Sequence, residues 1–154
     1  KDAEMIQNGE QMPFKTRAFN LTAGLTTSLI PTVDVDYHLT WMRNTMKMQR
    51  LGSSSTINSW KHEAKVHIPI VKLLSLETLA EYYHNQLSAN RFKDIFFADA
   101  SLKLQLRRFD ITLALNNLLN RKTYAYALNS DLMRSTSSLL ISGRELMINI
   151  YYKL

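Results

Sequence analysis

The chain of 154 residues contains no cysteine, only four glycines and only three prolines. Without cysteine it can form no disulfide, no thiolate metal site and no thiol nucleophile. The glycines stand at 9, 24, 52 and 143, too far apart for a phosphate-cradling loop or a Gly-x-Ser-x-Gly nucleophile elbow. No window approaches the roughly 20 continuous apolar residues of a membrane-crossing helix. That test is blind to crossing strands, whose two faces cancel in any average. An initiator Met and a charged-then-apolar leader are also missing. The chain opens Lys1-Asp2-Ala3-Glu4 and reads as mature, trimmed or a piece of something longer.

What is present is alternation. At the C-terminus Leu146, Ile148, Ile150, Tyr152 and Leu154 interleave with Glu145, Met147, Asn149, Tyr151 and Lys153. A period of two marks a β-strand with one apolar and one polar face. Residues 1–15 are polar and aperiodic and read as a loop or extension; residues 16–154 read as one antiparallel β-barrel segment. Within it Phe19, Leu21, Ala23 and Leu25 share a face, Pro31 forces a turn, and Val33, Val35, Tyr37, Leu39 and Trp41 share the next. Residues 46–55 read as a loop. Trp60, His62, Ala64, Val66 and Ile68 form another apolar face, ended by Pro69. Leu74, Leu76, Thr78, Ala80 and Tyr82 follow in a strand over about 73–85, whose partly helical spacing is outweighed by its strand neighbours.

Residues 86–94 read as a polar connection. Beyond it Leu102, Leu104 and Leu106 alternate with Lys103 and Gln105, and after a tight turn near Arg108 come Phe109, Ile111, Leu113 and Leu115. The stretch 121–141 is the least regular. It is expected to hold one further strand, with Ser135-Thr136-Ser137-Ser138 in or beside a loop. The total is about eight antiparallel strands. If the third and fourth turn near residue 71, Lys65 falls opposite Glu77 and Lys61 opposite Glu81.

The sequence offers little to catalysis or metal binding. His62 and His67 are five apart and face opposite ways on a strand; His38 and His84 are isolated. Asp34 and Asp36 share a face and read as a water- or lumen-facing pair rather than a cation site. The net charge is +6 with no dense basic run, so a polar strand face is preferred to a nucleic-acid footprint. No enzyme activity, cofactor, metal or nucleic-acid partner is expected.

Periodicity shows two faces without saying which points inward. A soluble barrel or sandwich buries the apolar face; a membrane barrel turns it to lipid. The apolar faces here are slim and continuous, with few bulky anchors for a packed core. His62 is the outlier, and has to lie near headgroups or turn to a neighbour. The aromatics Trp41, Trp60 and Tyr82 lie near strand ends, where an interfacial girdle would place them.

The last third of the chain resembles the C-terminal strands of TonB-dependent outer-membrane receptors. The resemblance covers residues 99–154. It is carried by the alternating Ala100-Ser-Leu-Lys-Leu-Gln-Leu106, by Ile111-Thr-Leu-Ala-Leu-Asn-Asn-Leu-Leu-Asn-Arg-Lys-Thr-Tyr124, similar to the family's strand-then-"Asn-Leu-Phe-Asn/Asp-Lys-x-Tyr" turn, and by Gly143-Arg144 before the closing strand. The family has Phe where Leu119 stands and ends on Phe where Leu154 stands. Residues 16–98 are similar in style only. The resemblance implies the C-terminal part of a barrel of about 22 strands with a plugged lumen. It implies wall and loops of a nutrient receptor in the bacterial outer membrane. The partners it implies are the lipid bilayer, a plug domain, the TonB complex and the barrel-assembly machinery.

On this reading Leu102, Leu104, Leu106, Ile111, Leu113, Leu115, Leu146, Ile148, Ile150 and Tyr152 face the membrane. Trp41, Trp60 and Tyr82 are the interfacial aromatics. Leu146, Ile148, Ile150, Tyr152 and Leu154 are the C-terminal assembly signal. Counting back through eight wall strands puts the 45–56 loop on the periplasmic side. An isolated piece is expected to close on itself, to pair with a copy or to lie within a larger assembly, because bare sheet edges invite aggregation. Two alternatives stay open: a self-contained small outer-membrane barrel with a structural or adhesive role, and a soluble β-barrel or sandwich binding an apolar ligand.

Overall fold

The computed structural model describes residues 2–7, 10–30, 32–48, 52–129 and 134–153. Among them are ten strands and no helix: β1 (Asp2–Gln7), β2 (Glu10–Ile30), β3 (Val33–Met48), β4 (Ser53–Val71), β5 (Leu74–Ser88), β6 (Arg91–Gln105), β7 (Phe109–Asn116), β8 (Thr123–Asn129), β9 (Arg134–Leu140) and β10 (Glu145–Tyr152). Eight of them form one antiparallel sheet in the order β1-β2-β3-β4-β5-β6-β7-β10. The other two, β8 and β9, pair only with each other, as a hairpin. The fold is all-β, as the alternation predicts.

The sheet is open. Among the described residues β1 pairs only with β2, and β10 only with β7, so the expected self-closure does not occur. The reason lies on one face. The β8–β9 hairpin is laid over it through β5, with β3, β4 and β6. A cylinder of about eight strands has an interior only wide enough for side chains and could not house a hairpin.

Several element boundaries differ from expectation. Residues 2–7 and 10–15, read as loop, are β1 and the start of β2, paired from Asp2↔Lys15 to Gln7↔Glu10. Strand β3 runs to Met48 and β4 begins at Ser53, which erases most of the 46–55 loop; β5 runs to Ser88 and β6 begins at Arg91, which reduces the 86–94 connection to a turn. Pro69 does not end its strand. β4 continues to Val71 with an irregular register between Pro69 and Val71, where proline cannot donate to the ladder. The chain then turns at residues 72–73, and the register falls two residues from the expected one: Lys65 opposes Leu79, Lys61 opposes Tyr83 and His67 opposes Glu77. A slip of two keeps every side chain on its face. The serine-rich 135–138 lies inside β9. Leu106 lies just past the end of β6, in the three-residue connection to β7. Pro31 and Leu154 fall outside the described residues.

The hairpin also reverses the expected sidedness. With β8 and β9 out of the main sheet, β7 pairs with β10 from Glu145↔Asn116 to Tyr152↔Phe109. Lys153 N–H donates to the Arg108 carbonyl, 2.8 Å, so the chain leaves β10 at the end of the sheet where β6 turns into β7. Antiparallel order places the 72–73 turn at that same near end. The 49–52 connection, the 89–90 turn and the whole 117–144 excursion lie at the far end. The 45–56 segment is thus opposite the C-terminus, not beside it.

Candidate functional site

The register defines two faces. One carries Leu21, Trp41, Trp60, Tyr82, Phe96, Leu102, Leu113 and Ile148. Its apolar side chains are exposed on the last strands, where Leu113 is 41%, Ile148 63% and Ile150 66% accessible, and largely half-buried across β3–β5. Leu102, Leu146 and Tyr152 are also exposed on this face, while Leu104, Ile111 and Leu115 are half-buried between neighbours. Leu106 is exposed in its turn. All ten residues read as one apolar surface therefore carry solvent-accessible area, and none is in the core. His62 does turn to a neighbour. Its Nδ1 lies 2.7 Å from the Tyr37 hydroxyl.

Aromatic rings border this surface. Trp41 opposes Trp60 and the two stack at 5.5 Å. Phe19 meets Trp41 edge-on at 5.4 Å from one pair further out. Tyr82 opposes His62, one pair further in than Trp60, and Phe96 opposes Tyr82. The ring line thus steps inward as it crosses from β2 to β6. At the near end Phe109 and Tyr152 pair at 5.2 Å.

The apolar band steps the same way. Leu21 lies on the row Leu21–Trp41–Trp60–His84–Asp94. On β10 the band begins with Leu146, on the row Ala100–Leu115–Leu146, which meets β6 six residues beyond Asp94. Six residues span ~20 Å, and the six strand spacings from β2 to β10 span ~29 Å. The band crosses the sheet at about 35° to the strand normal, the strand tilt a closed cylinder requires, ~35–45°.

The second face is charged in its middle. Lys61 Nζ donates to Glu63 Oε2, 2.6 Å, and to Glu81 Oε1, 2.8 Å, with its ammonium 5.5 Å from the Tyr83 ring centroid. The expected Lys61–Glu81 pair forms, diagonally rather than directly opposite. Toward the far end this face becomes apolar, and the core lies here: Met46, Ile57, Leu87 and Ile95 are buried, with Ile95 at 4% and Ile57 at 5%. The hairpin covers the neighbouring residues. Tyr124 packs edge-on against Tyr83 at 5.3 Å, and the buried Asn85 donates to the Tyr124 hydroxyl and the Ala125 carbonyl, 3.3 and 3.1 Å. Between hairpin and sheet is a cavity of about 430 Å³, lined mainly by uncharged residues such as Asn20, Ser59, Tyr124 and Tyr126, with Arg43 and Phe19 at its border.

Just beyond the aromatic line on the first face, Asp94 accepts hydrogen bonds from His84 Nδ1 and from the Tyr82 hydroxyl, the latter at 3.0 Å. The His84 bond, helped by Tyr82, holds the Asp94 carboxyl below the usual carboxylate range.

The hairpin is held at its base by two sequence segments far apart. Asn117 and Asn120 adopt left-handed backbone, φ 51° and 53°, which asparagine tolerates better than most residues. Asn117 Oδ1 accepts from Arg121 N–H, 2.8 Å, and its amide donates to the carbonyls of Arg121 and Ser142, 2.6 and 2.8 Å. Asn120 Oδ1 accepts from Arg144 N–H, 3.1 Å, while the Arg144 guanidinium donates to the Leu118 carbonyl. Gly143 is required by close approach, since a Cβ there would lie 2.8 Å from Asn120 Oδ1. The residues carrying the sequence resemblance thus form one clasp. Sequence reading found both halves and missed their contact. It also missed the hairpin and the apolar core beneath it.

Among the described residues no cluster of three or more His, Asp or Glu side chains could hold a metal ion. Asp34 accepts from Ser28 Oγ, 2.6 Å. No family model, curated protein or solved structure matches the chain.

Proposed function

We propose that this chain is a wall segment of a transmembrane β-barrel in the bacterial outer membrane, the C-terminal part of a TonB-dependent nutrient receptor, with no catalytic role. One observation carries the reading: an apolar band, exposed most fully on β2 and β10 and largely half-buried across β3–β5, is edged by aromatic rings and crosses the sheet at the slope of tilted barrel strands. On β5 the band runs from Leu74 to Tyr82, nine residues, within the ~9–11 that a tilted strand needs to cross a bilayer. The charged opposite face then lines the lumen.

The sidedness supports the same reading. The turns at 72–73 and 106–108 are short and share an end with the C-terminus, while the other end has the long 117–144 excursion beside the short 89–90 turn. Outer-membrane barrels have short periplasmic turns and longer extracellular loops. The β8–β9 hairpin is then an extracellular loop folded inward over the lumen mouth. The clasp at 117–121 and 142–144 gives the resemblance a physical role, and extends the proposal to the plug, the TonB complex and the assembly machinery as partners, the last reading Leu146, Ile148, Ile150, Tyr152 and Leu154. The two bare sheet edges are where the rest of a larger cylinder would pair.

The absence of cysteine makes the test clean. Single cysteines are placed at residues 146–151 of the full chain refolded into phosphatidylcholine vesicles, and a water-soluble maleimide is applied. Protection at 146, 148 and 150 with labelling at 147, 149 and 151 is the expected pattern. Uniform labelling, or a monodisperse chain in plain buffer with 148 and 150 protected, would remove the membrane face.

A further inference from the structure

The basic residues Lys15, Arg17, Arg43 and Lys47 look scattered along the chain, yet pairing of β2 with β3 gathers them. Lys15 opposes Lys47, Arg17 opposes Thr45 and Phe19 opposes Arg43, all on the face that carries the apolar band. Arg17 is therefore diagonal to both Arg43 and Lys47, within reach of long side chains. Across β4 the same rows offer Ser54, Thr56 and Asn58 and no carboxylate. Asp2 of β1 stands opposite Lys15 on the outer flank. Arg17, Arg43 and Lys47 are exposed, and among the described residues none makes a hydrogen bond or ion pair. With Thr45 and Phe19 they line a recess of about 600 Å³.

Arg17, Arg43 and Lys47, gathered on one face with no ion pair among the described residues, repel one another and cost stability unless an anion sits among them. Their height identifies the anion. Phe19 and Trp41 form the aromatic line, and the cluster begins at that line and extends away from the apolar band. Headgroups occupy that level in a bilayer. Arginine forks match phosphate oxygens in pairs.

We propose that Arg17, Arg43 and Lys47, with Lys15 at their edge, bind the phosphate of a phosphorylated lipid in the outward leaflet, its acyl chains lying down the apolar band past Phe19 and Trp41. The proposal rests on the membrane reading above and adds a lipid site to it. By register the cations lie on the face that carries the apolar band; Arg43 and Phe19 also border the cavity beneath the hairpin, whereas Arg17 and Lys47 do not.

The only two tryptophans, Trp41 and Trp60, lie just below the cluster and report on it. The full chain is refolded into phosphatidylcholine vesicles in which the acyl chains of either a phosphatidylcholine fraction or an equal phosphatidic acid fraction are brominated. Brominated phosphatidylcholine is expected to quench the tryptophans, and brominated phosphatidic acid to quench more at the same mole fraction. Each cation neutralised in the series R17Q, R43Q, K47Q is expected to lower the preference, by up to about five-fold per charge. K103Q, on the other face, is expected to leave it intact. Retained quenching by brominated phosphatidylcholine verifies that each variant still inserts.

Absence of quenching by either lipid overturns both this site and the membrane reading. Quenching without preference, or a preference that survives the triple variant, overturns the site alone. Loss of the preference on adding inorganic phosphate in place of chloride at equal ionic strength also overturns it, because the anion would then be a free one rather than a lipid.

Discussion

The same strands carry opposite polarity patterns on the two sides of the aromatic line. Between Trp60 and Ile68 on β4 the first face is apolar apart from His62, exposed at Trp60 and half-buried at Ala64, Val66 and Ile68, and the second holds Lys61, Glu63 and Lys65. Beyond Trp60, toward the far end, the first face holds Asn58, Thr56 and Ser54, and the second buries Ile57. β6 repeats the exchange: Phe96 and Leu102 point one way in the middle zone, and Ile95 is buried on the other side in the far zone. The pleat does not change, since side chains still alternate residue by residue. What changes is the cover. In the far zone the β8–β9 hairpin lies over the second face and buries its apolar side chains. In the middle zone nothing in the chain covers the first face among the described residues, and on the proposed reading lipid does.

The largest expected effect is in the far zone. Ile95→Ala should destabilise by about 3–4 kcal/mol, the usual cost of emptying a buried aliphatic site. Urea unfolding of the vesicle-bound chain, followed by tryptophan fluorescence, measures it. A cost below ~1 kcal/mol would mean that the hairpin does not seal a core and that the far zone is only a solvated extension of the middle one.

Next is the middle zone, probed with charge. Leu113→Arg on the exposed face should cost about 3 kcal/mol in vesicles, within the ~2–4 kcal/mol for a cation near the bilayer midplane of a barrel wall. Asn90→Arg, in the exposed turn at the far end, should stay within ~0.5 kcal/mol. The comparison breaks if the two substitutions cost the same. In water Leu113 is an exposed leucine and its replacement by arginine would be nearly neutral, so the difference reads the medium directly.

The third effect concerns the join between zones. Asn117→Ala removes three side-chain hydrogen bonds and puts a β-carbon residue at φ 51°. Together these should cost about 2 kcal/mol. The loss should appear as faster amide exchange in β8 and β9 with β2–β6 unchanged. Asn117→Gly restores the backbone freedom but not the bonds, and should recover about half. If exchange rises throughout the sheet instead, the clasp supports the wall rather than the hairpin.

Alternation made the wall strands legible wherever one phase persists, as in Leu74 to Tyr82 or Leu146 to Tyr152. It failed where the phase flips. Residues 86–94 looked like a polar connection because Leu87 and Ile95 pack on the face that is polar elsewhere, while Asp94 stands on the face that is apolar elsewhere. The register slip at β4–β5 followed from the irregularity after Pro69, which moves the turn without moving any face. The hairpin was illegible because its anchors are remote: Asn85 meets Tyr124 across 39 residues, and Asn117 meets Ser142 across 25. The basic cluster was hidden likewise, since Arg17 and Arg43 become neighbours only through the β2–β3 ladder. The asparagines at 117 and 120 did carry a local turn signal, but nothing local tells that Gly143 closes on them.

The smallest effect sits on the dividing line itself. Asp94 is paired with His84 and Tyr82 just outside the ring row, and its carboxyl titrates below the usual range because His84, then Tyr82, donate to it. A carboxylate whose pKa is lower folded than unfolded binds fewer protons in the folded state. Its contribution is therefore complete above the ordinary carboxylate range, near ~4, and is lost as pH falls through the lowered folded value. Asp94 is largely exposed, so solvent screening keeps the contribution under ~1 kcal/mol. Asp94→Asn should accordingly lose that small increment at neutral pH and match the parent chain once the parent's carboxyl is protonated. Urea midpoints of the two chains, measured from neutral pH into the acid range, should converge downward. Convergence toward high pH would mean that the cluster is held in its protonated form, and would place Asp94 in the dry zone rather than at its border.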